Sequence, residues 1–135
     1  MTPRYLLDTN ICIAYKKHKL GVPERVDTLP RGEAVMSLIT WGELVHGAEK
    51  SQHRAQSFAI LERIRQIIPV LGMEETVGNH YGAIKGTLEK TGRLIGPNDM
   101  WIAAHALAHN LKLVTNNTGE FARVAGLALE DWTTP

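Results

Sequence analysis

The sequence predicts an α/β fold, a three-layer α/β/α sandwich around a central, mainly parallel sheet. Short apolar segments typical of buried strands alternate along the chain with longer segments of helical periodicity. Strands that alternate with helices pair in parallel, and their helices cover both faces of the sheet. The 135 residues fit a single domain, 1–135, that can bury a core without disulfides or a structural metal.

The first part of the chain supplies two predicted strands. The apolar run Arg4–Asp8 is predicted as the first strand, and Thr9–Lys19 as the helix that follows it. Glycine and proline residues punctuate the next stretch, which leaves room for one short helical piece. Ala34–Ile39 is predicted as a second buried strand, with another helix from about Trp41.

The middle of the chain is predicted to be mainly helical. Gln52–Ile68 has a helical period that Pro69 ends. Val70 and Leu71 indicate a brief strand, and Glu74–Thr91 is the next predicted helix.

The last part of the chain repeats the alternation. The loop Gly92–Pro97 leads into an alanine-rich helix, Asp99–His109. Leu111–Thr115 is predicted as a strand, Asn116–Glu120 as a turn or helix entry, and Leu127–Leu129 as a last short strand.

The composition excludes several classes of protein. Fifteen Lys and Arg residues balance 14 Asp and Glu residues, so a general polyanion binder is not indicated. The single cysteine rules out an internal disulfide and leaves no zinc-like spacing. Asp8 comes too early for a signal peptide, and no segment is long and apolar enough to span a bilayer. We therefore expect a cytoplasmic protein with no membrane partner.

Acidic residues follow several of the predicted strands. Asp8 ends the first strand, Glu43 lies in the first helical turn after the second, and Asp99 opens the helix after the Gly-Pro loop. Asn117 and Glu120 follow the strand that ends near residue 115. Because the carboxyl ends of parallel strands meet at one edge of a sheet, we expect these side chains to converge there.

Each acid also has a purely structural explanation. Asp8 and Asp99 can act as helix N-caps, and Thr40 to Glu43 has the spacing of a capping box. Asn98 could instead cap the later helix, which would free the side chain of Asp99. Taken singly, each residue leaves both interpretations open, whereas their joint placement favours a functional cluster.

Clustered carboxylates indicate a particular chemistry. Acids within a few ångströms of each other raise one another's pKa unless a cation neutralises them. Oxygen-only ligands favour Mg²⁺ or Mn²⁺. Such a site suits phosphodiester hydrolysis, in which the metal activates a water and stabilises the leaving oxygen without a covalent enzyme intermediate.

Four segments resemble the motifs of the PIN-domain nucleases, and specifically those of the VapC-type toxins of bacterial toxin–antitoxin pairs. The resemblance spans nearly the whole chain, and it depends on the order and spacing of the segments rather than on any one of them. The segments are Leu6–Asn10, Thr40–Leu44 with Gly47–Lys50, Ile95–Ala104, and Leu113–Asn117 followed by Glu120 and Phe121.

The resemblance implies a metal-dependent endoribonuclease that blocks translation by cutting tRNA or rRNA. Mg²⁺ is the expected metal, and Mn²⁺ can substitute for it. Asp8, Glu43 and Asp99 occupy the family's catalytic and metal-ligating positions, and a tRNA anticodon loop is the favoured substrate. The resemblance also implies a homodimer, a cognate VapB-type antitoxin that covers the site, and a higher toxin–antitoxin complex. We expect the antitoxin to place a basic side chain near the carboxylates.

The sequence departs from the family pattern at one position. Many members have a fourth acid in a Thr-x-Asp pattern after the last long strand, and here Asn117 stands in its place. Glu120 could reach the site instead, or Asn117 could serve as a neutral ligand. Thr9 and Asn10, in the first motif, are further supporting candidates.

Four basic residues are candidates for RNA contact. Lys16 and Lys17 belong to a basic run near the end of the first helix, and Lys85 and Arg93 flank the loop before Asp99. Lysine and arginine supply most phosphate contacts. The alternative for each of them is an ordinary solvated surface position.

Histidine and tryptophan residues give weaker signals. None of the six histidines falls in a repeated ligand spacing, and His105 and His109 share a helix face that could be ordinary surface, so we expect no essential histidine. Trp41 and Trp101 lie near proposed catalytic acids and could stack on bases. Core or interface packing is the commoner role of such residues.

Two other functions compete with the nuclease hypothesis. An Asp after an apolar strand can form an aspartyl-phosphate, but the haloacid dehalogenase pattern needs a second Asp where Asn10 stands. The non-enzymatic alternative is a nucleic-acid or protein binding module that retains the PIN fold, and the missing fourth acid leaves that alternative open.

Overall fold

A five-stranded sheet organises residues 2–134, the part of the chain that this computed structural model describes. Its order is β3-β2-β1-β4-β5, and every neighbouring pair is parallel. The strands are β1 Tyr5–Leu7, β2 Ala34–Ser37, β3 Val70–Leu71, β4 Lys112–Val114 and β5 Leu129–Glu130.

Helices cover both faces of this sheet. They are α1 Thr9–Lys16, α2 Val22–Asp27, α3 Leu38–Glu49, α4 Arg54–Ile67, α5 Glu75–Thr91, α6 Pro97–Ala108 and α7 Thr118–Phe121. Successive residues of a strand face opposite sides, so Leu6 packs with apolar side chains of α5, α6 and α7, and Leu7 with those of α1 to α4. The predicted three-layer α/β architecture is therefore confirmed. Within the described residues, no helix has the length and apolar character needed to cross a membrane.

The central strand determines where the site lies. Leu7 of β1 is in register with Met36 of β2 on one side and with Val114 of β4 on the other. The chain therefore leaves β1, β2 and β4 at the same edge of the sheet. In parallel sheets, ligands bind at this edge, next to the strand from which the connections run in opposite directions.

The helix after β2 begins earlier than the sequence indicated. Helix α3 begins at Leu38 rather than near Trp41, because Ser37 Oγ accepts a hydrogen bond from the backbone N–H of Ile39 at 3.1 Å. Ser37 is thus the N-cap, and the capping-box interpretation of Thr40 and Glu43 is wrong. Glu43 lies in the second helical turn rather than the first.

Two other boundaries differ from the prediction. Helix α6 begins at Pro97 with Gly96 as its N-cap, so neither Asn98 nor Asp99 caps it. Proline is well suited to this first position because its missing N–H has no partner to lose there. Helix α1 ends at Lys16 rather than Lys19, because the backbone becomes left-handed at His18, where φ is 55°.

The remaining elements are close to the prediction. The last strand is displaced to Leu129–Glu130 from the predicted Leu127–Leu129. The turn or helix entry predicted at Asn116–Glu120 is the short helix α7.

Candidate active site

Asp8 lies where β1 passes into α1, and it is only 4% exposed. Its Oδ1 accepts a hydrogen bond from the backbone N–H of Thr9 at 2.7 Å, and its Oδ2 accepts one from the hydroxyl of Thr115 at 2.9 Å. One carboxylate oxygen therefore has the predicted capping role, while the other faces the end of β4. Burial raises the pKa of Asp8, the two hydrogen bonds oppose that rise, and the charges of Glu43 and Glu120 add to it.

Thr115 is a site residue that the sequence interpretation missed. It is fully buried directly after β4, donates to Asp8, and accepts a hydrogen bond from the backbone N–H of Asn117 at 3.0 Å. The available signal was its place in the family-like segment Leu113–Asn117, which draws attention to its acidic or amide residues and not to its threonine.

Glu43 reaches the site through a chain of hydroxyls. The Thr9 hydroxyl donates to Glu43 Oε1 at 2.7 Å, and it lies 3.1 Å from the hydroxyl of Thr40, which is fully buried. Because the single proton of Thr9 goes to Glu43, Thr40 must donate to Thr9. These two threonines fix Glu43 beside the start of α1, next to Asp8.

Asp99 and Glu120 form the other half of the site. Asp99 lies in the first turn of α6, and Glu120 Oε1 accepts a hydrogen bond from the backbone N–H of Gly96 at 3.3 Å. The pKa of Asp99 is raised to about 7, first by burial, then by a hydrogen bond with Glu120 and by the charges of Glu120, Asp8 and Glu43. These four carboxyl groups therefore form one electrostatic cluster, defined here as the acidic cluster.

The remaining supporting candidates divide into two groups. Asn117 precedes α7 and donates its side-chain N–H to Glu120 Oε2, so it orients an acid instead of replacing one. Asn10 is exposed on the first turn of α1 and lies outside the hydrogen-bonded network described above.

The four basic candidates lie at the surface. Lys16 and Lys17 are exposed at the C-terminal end of α1, about 12 Å along the helix from Asp8 at 1.5 Å per residue. Arg93 is exposed in the loop between α5 and α6, and Lys85 is half-buried on α5. Contact of these side chains with RNA stays a prediction.

The acidic cluster offers the donor set that a hard cation prefers. Within residues 2–134, no three His, Cys, Asp or Glu side chains are already arranged as metal ligands. Both oxygens of Asp8 and Glu120 and one oxygen of Glu43 accept hydrogen bonds from hydroxyl, amide or backbone N–H donors. All four acids are nevertheless oxygen ligands, and the repulsion that raises the pKa of Asp99 is what a divalent cation relieves. The residues present therefore fit Mg²⁺ or Mn²⁺.

The ordinary-surface interpretation of His105 and His109 is wrong for His105. His105 is fully buried, with hydrogen bonds from both ring nitrogens. His109 lies nearer the surface, where its Nε2 is 2.6 Å from a carboxylate oxygen of Glu74.

The two tryptophans near the acids pack against protein side chains. The ring of Trp101 is stacked on Tyr81 with centroids 3.9 Å apart. Trp41 is half-buried and has the guanidinium of Arg65 at 5.6 Å from its ring centroid. These contacts favour the packing alternative over base stacking.

Comparison with protein families gives a match over most of the chain. The model of the PIN domain matches residues 5–127. This range contains all four carboxyl groups of the acidic cluster and both strands that flank β1.

Individual relatives extend the match to nearly full length. The chain is 45% identical over 131 residues to Ribonuclease VapC1 of Haemophilus influenzae (strain R2866), covering 96% of this chain and 98% of that protein. It is 44% identical over 130 residues to the tRNA(fMet)-specific endonuclease VapC of Shigella flexneri, again covering 96% and 98%. The solved structure of VapBC-1 from nontypeable Haemophilus influenzae is similar with a TM-score of 0.89 and 44% identity, over 96% of this chain and 98% of that one.

Proposed function

This chain belongs to the PIN-domain family, in its VapC group of ribonucleases, and we propose that it is a Mg²⁺-dependent endoribonuclease toxin. The acidic cluster supports this proposal more than any other feature. Four carboxyl groups from distant parts of the sequence lie at one edge of the sheet, where burial and then the charges of Glu120, Asp8 and Glu43 raise the pKa of Asp99. A bound cation would relieve the repulsion among these carboxylates and stabilise their charged forms.

Asp8, Glu43 and Asp99 are the proposed metal ligands. When bound, Mg²⁺ would hold the scissile phosphate, lower the pKa of an attacking water and stabilise the leaving oxygen. Thr115 and the backbone N–H of Thr9 orient the two oxygens of Asp8. The Thr9 hydroxyl orients Glu43. The protein therefore holds its acidic oxygens in fixed directions before substrate binds.

Glu120 is proposed to act in place of the fourth acid that many family members have. Its two carboxylate oxygens are held separately, one by the backbone N–H of Gly96 and the other by the side chain of Asn117. It also lies close enough to Asp99 to add to the effect of burial in raising the pKa of that carboxyl. With Asn117 as its neutral partner, Glu120 brings a carboxylate to the position from which the usual aspartate is missing.

The proposed substrate is tRNA, and within it the anticodon loop. The Shigella flexneri relative is named as a tRNA(fMet)-specific endonuclease, and it is 44% identical to this chain. A single-stranded loop exposes its bases and phosphodiester bonds to an open site, unlike the interior of an RNA duplex. Lys16, Lys17, Lys85 and Arg93 are the proposed contacts to the RNA backbone.

A cognate VapB-type antitoxin is the proposed protein partner, in a complex built on a toxin homodimer. The similar Haemophilus influenzae structure is of VapBC-1. The acidic cluster supports an inhibitor that places a basic side chain beside Asp99, because a cation from the antitoxin would relieve the same repulsion as a metal.

The test is cleavage of tRNA by the purified protein with Mg²⁺, with Mn²⁺ and with EDTA, using Asp8→Asn and Asp99→Asn. Both variants should lose cleavage and growth arrest while staying folded by circular dichroism. Glu62→Gln is the matched control, because Glu62 is an exposed acid paired with Arg65 on α4. Retained cleavage by both variants would refute the proposal. Tight RNA binding by the wild type without cleavage in either metal would favour the binding-module alternative.

A further inference from the structure

Helix α6 carries a buried polar side chain that hydrolysis does not use. His105 is 0% exposed, and its imidazole lies between two parts of the chain that are distant in sequence. Its Nδ1 is 2.8 Å from Ser37 Oγ, and its Nε2 is 2.9 Å from the backbone carbonyl oxygen of Gly72. The ring therefore joins α6 to the β2–α3 junction and to the segment that follows β3.

These partners determine the tautomer of the neutral ring. A carbonyl oxygen can only accept, so Nε2 must carry the proton that bonds to Gly72. In the neutral ring Nδ1 then accepts, and the hydroxyl of Ser37 donates to it. Ser37 Oγ still accepts the N–H of Ile39 as the N-cap of α3. Every polar atom in this chain of bonds has a complementary partner.

The same bonds connect the two helices that carry catalytic acids. Ser37 lies six residues before Glu43 on α3, and His105 lies six residues after Asp99 on α6. In both cases the distance along the helix is about 9 Å at 1.5 Å per residue. A helix of this length moves as a rigid body, so a shift at the His105–Ser37 contact moves Asp99 relative to Glu43.

We propose that His105, as the neutral Nε2–H tautomer, is a positioning residue that sets the separation of Glu43 and Asp99. This inference rests on the proposed nuclease function, because that function gives the separation its importance. A misplacement of about 1 Å caused by a change far from the reacting atoms can cost about 100-fold in rate, and a displaced ligand also weakens metal affinity. A buried histidine that served only stability would affect unfolding and leave both of those quantities unchanged.

The first measurement is the ring state of His105 in the metal-free protein by ¹⁵N NMR at neutral pH. We expect a pyridine-like signal for Nδ1 and a pyrrole-like signal for Nε2. A proton on Nδ1, or a charged ring, would overturn the assignment. This measurement does not depend on metal or on catalysis.

The second measurement compares His105→Leu, His105→Gln and Ser37→Ala with the wild type. We expect His105→Leu and Ser37→Ala to weaken Mn²⁺ affinity and lower kcat for tRNA cleavage by about 10-fold or more, with KM for RNA nearly unchanged. His105→Gln should recover part of both losses, because its amide offers one acceptor and one donor. The matched control is His53→Gln, an exposed histidine just before α4 whose side chain makes no capping hydrogen bond, and it should leave both quantities unchanged.

The outcomes separate this inference from the proposed function. A wild type that neither binds Mn²⁺ nor cleaves RNA refutes the nuclease function and the inference together. A wild type that does both, with folded His105→Leu and Ser37→Ala variants of unchanged affinity and kcat, refutes the positioning role alone. If His105→Leu does not fold, His105→Gln and Ser37→Ala decide the question together. Ser37→Ala keeps the imidazole but removes both the bond to Nδ1 and the N-cap bond from Ile39, whereas His105→Gln leaves the N-cap of α3 intact.

Discussion

The hydroxyl of Thr115 donates a hydrogen bond to Asp8 Oδ2 across 107 positions of sequence, at a distance of 2.9 Å. Both residues are buried, and each follows one of the neighbouring strands β4 and β1. The bond opposes the effect of burial on the pKa of Asp8 and so favours the charged form. Parallel pairing of two short strands thus produces a preoriented buried carboxylate.

Thr115→Val should therefore damage the site although it keeps the size and branching of the side chain. The buried carboxylate of Asp8 loses a donor, which should lower the free energy of unfolding by about 1–3 kcal/mol and reduce cleavage of tRNA. Urea unfolding and initial rates check the two effects. Thr87→Val, at an exposed position of α5, is the matched control. Wild-type stability and rate in Thr115→Val would show that this bond has no role.

Stability of the metal-free protein should fall as the pH rises from about 4 to about 7. The pKa of Asp99 is raised to about 7 in the folded protein, whereas an unfolded chain has a value near 4. Between these values the folded form holds a proton that unfolding releases, so the free energy of unfolding decreases with rising pH. Below about pH 4, Asp99 no longer contributes to the pH dependence of the free energy of unfolding, because it is protonated in both the folded and the unfolded protein.

Urea unfolding in EDTA at several pH values checks this sign. Asp99→Asn should flatten the curve, although the pKa of Asp8, which is also raised, leaves some slope. The surface variant Glu62→Gln should keep the wild-type slope. A wild-type curve that rises over the same interval would contradict the assignment of Asp99 as a site that strongly retains its proton.

Thr9→Val should lower kcat by about 10-fold while leaving RNA affinity unchanged. The change removes the hydroxyl that donates to Glu43 and accepts from Thr40, and partners of metal ligands commonly have effects of this size. Thr9→Ser keeps the hydroxyl and should retain most of the rate. Equal rates for the valine and serine variants would mean that the hydroxyl does not position Glu43.

The general placement of the site could be predicted from sequence because most of it follows from the strands. Apolar runs indicated parallel strands, and parallel strands bring their carboxyl ends to one edge, which is where Asp8 and the segment with Glu120 lie. Asp99 joins them from the first turn of α6, which follows a helix and a loop rather than a strand. The start of α3 could not be predicted in the same way. Leu38 and Ile39 continue the apolar run of β2, so only the bond between Ser37 and Ile39 marks the boundary.

The burial of His105 was hidden for a different reason. Helix α6 is apolar on nearly all sides, so its periodicity does not identify a surface face. Both hydrogen-bond partners of the ring, Ser37 and Gly72, come from elements far away in sequence. A polar residue in such a helix is assigned to the surface by default, and only tertiary structure reveals that its hydrogen bonds are satisfied inside.

Asn117→Asp tests whether the missing fourth acid limits metal binding. The variant places another carboxylate beside Glu120, which now accepts from the amide of Asn117. In EDTA the added repulsion should lower the free energy of unfolding, whereas Mg²⁺ or Mn²⁺ should bind more tightly because the cation gains a charged oxygen ligand.

Calorimetric titration of both metals, with urea unfolding in EDTA, measures the two changes. Asn79→Asp, at an exposed position of α5, controls for the added charge. We expect Asn117→Asp to raise metal affinity and to lower the free energy of unfolding in EDTA. Weaker metal binding by Asn117→Asp would mean that Glu120 already completes the site and needs the amide of Asn117 to do so.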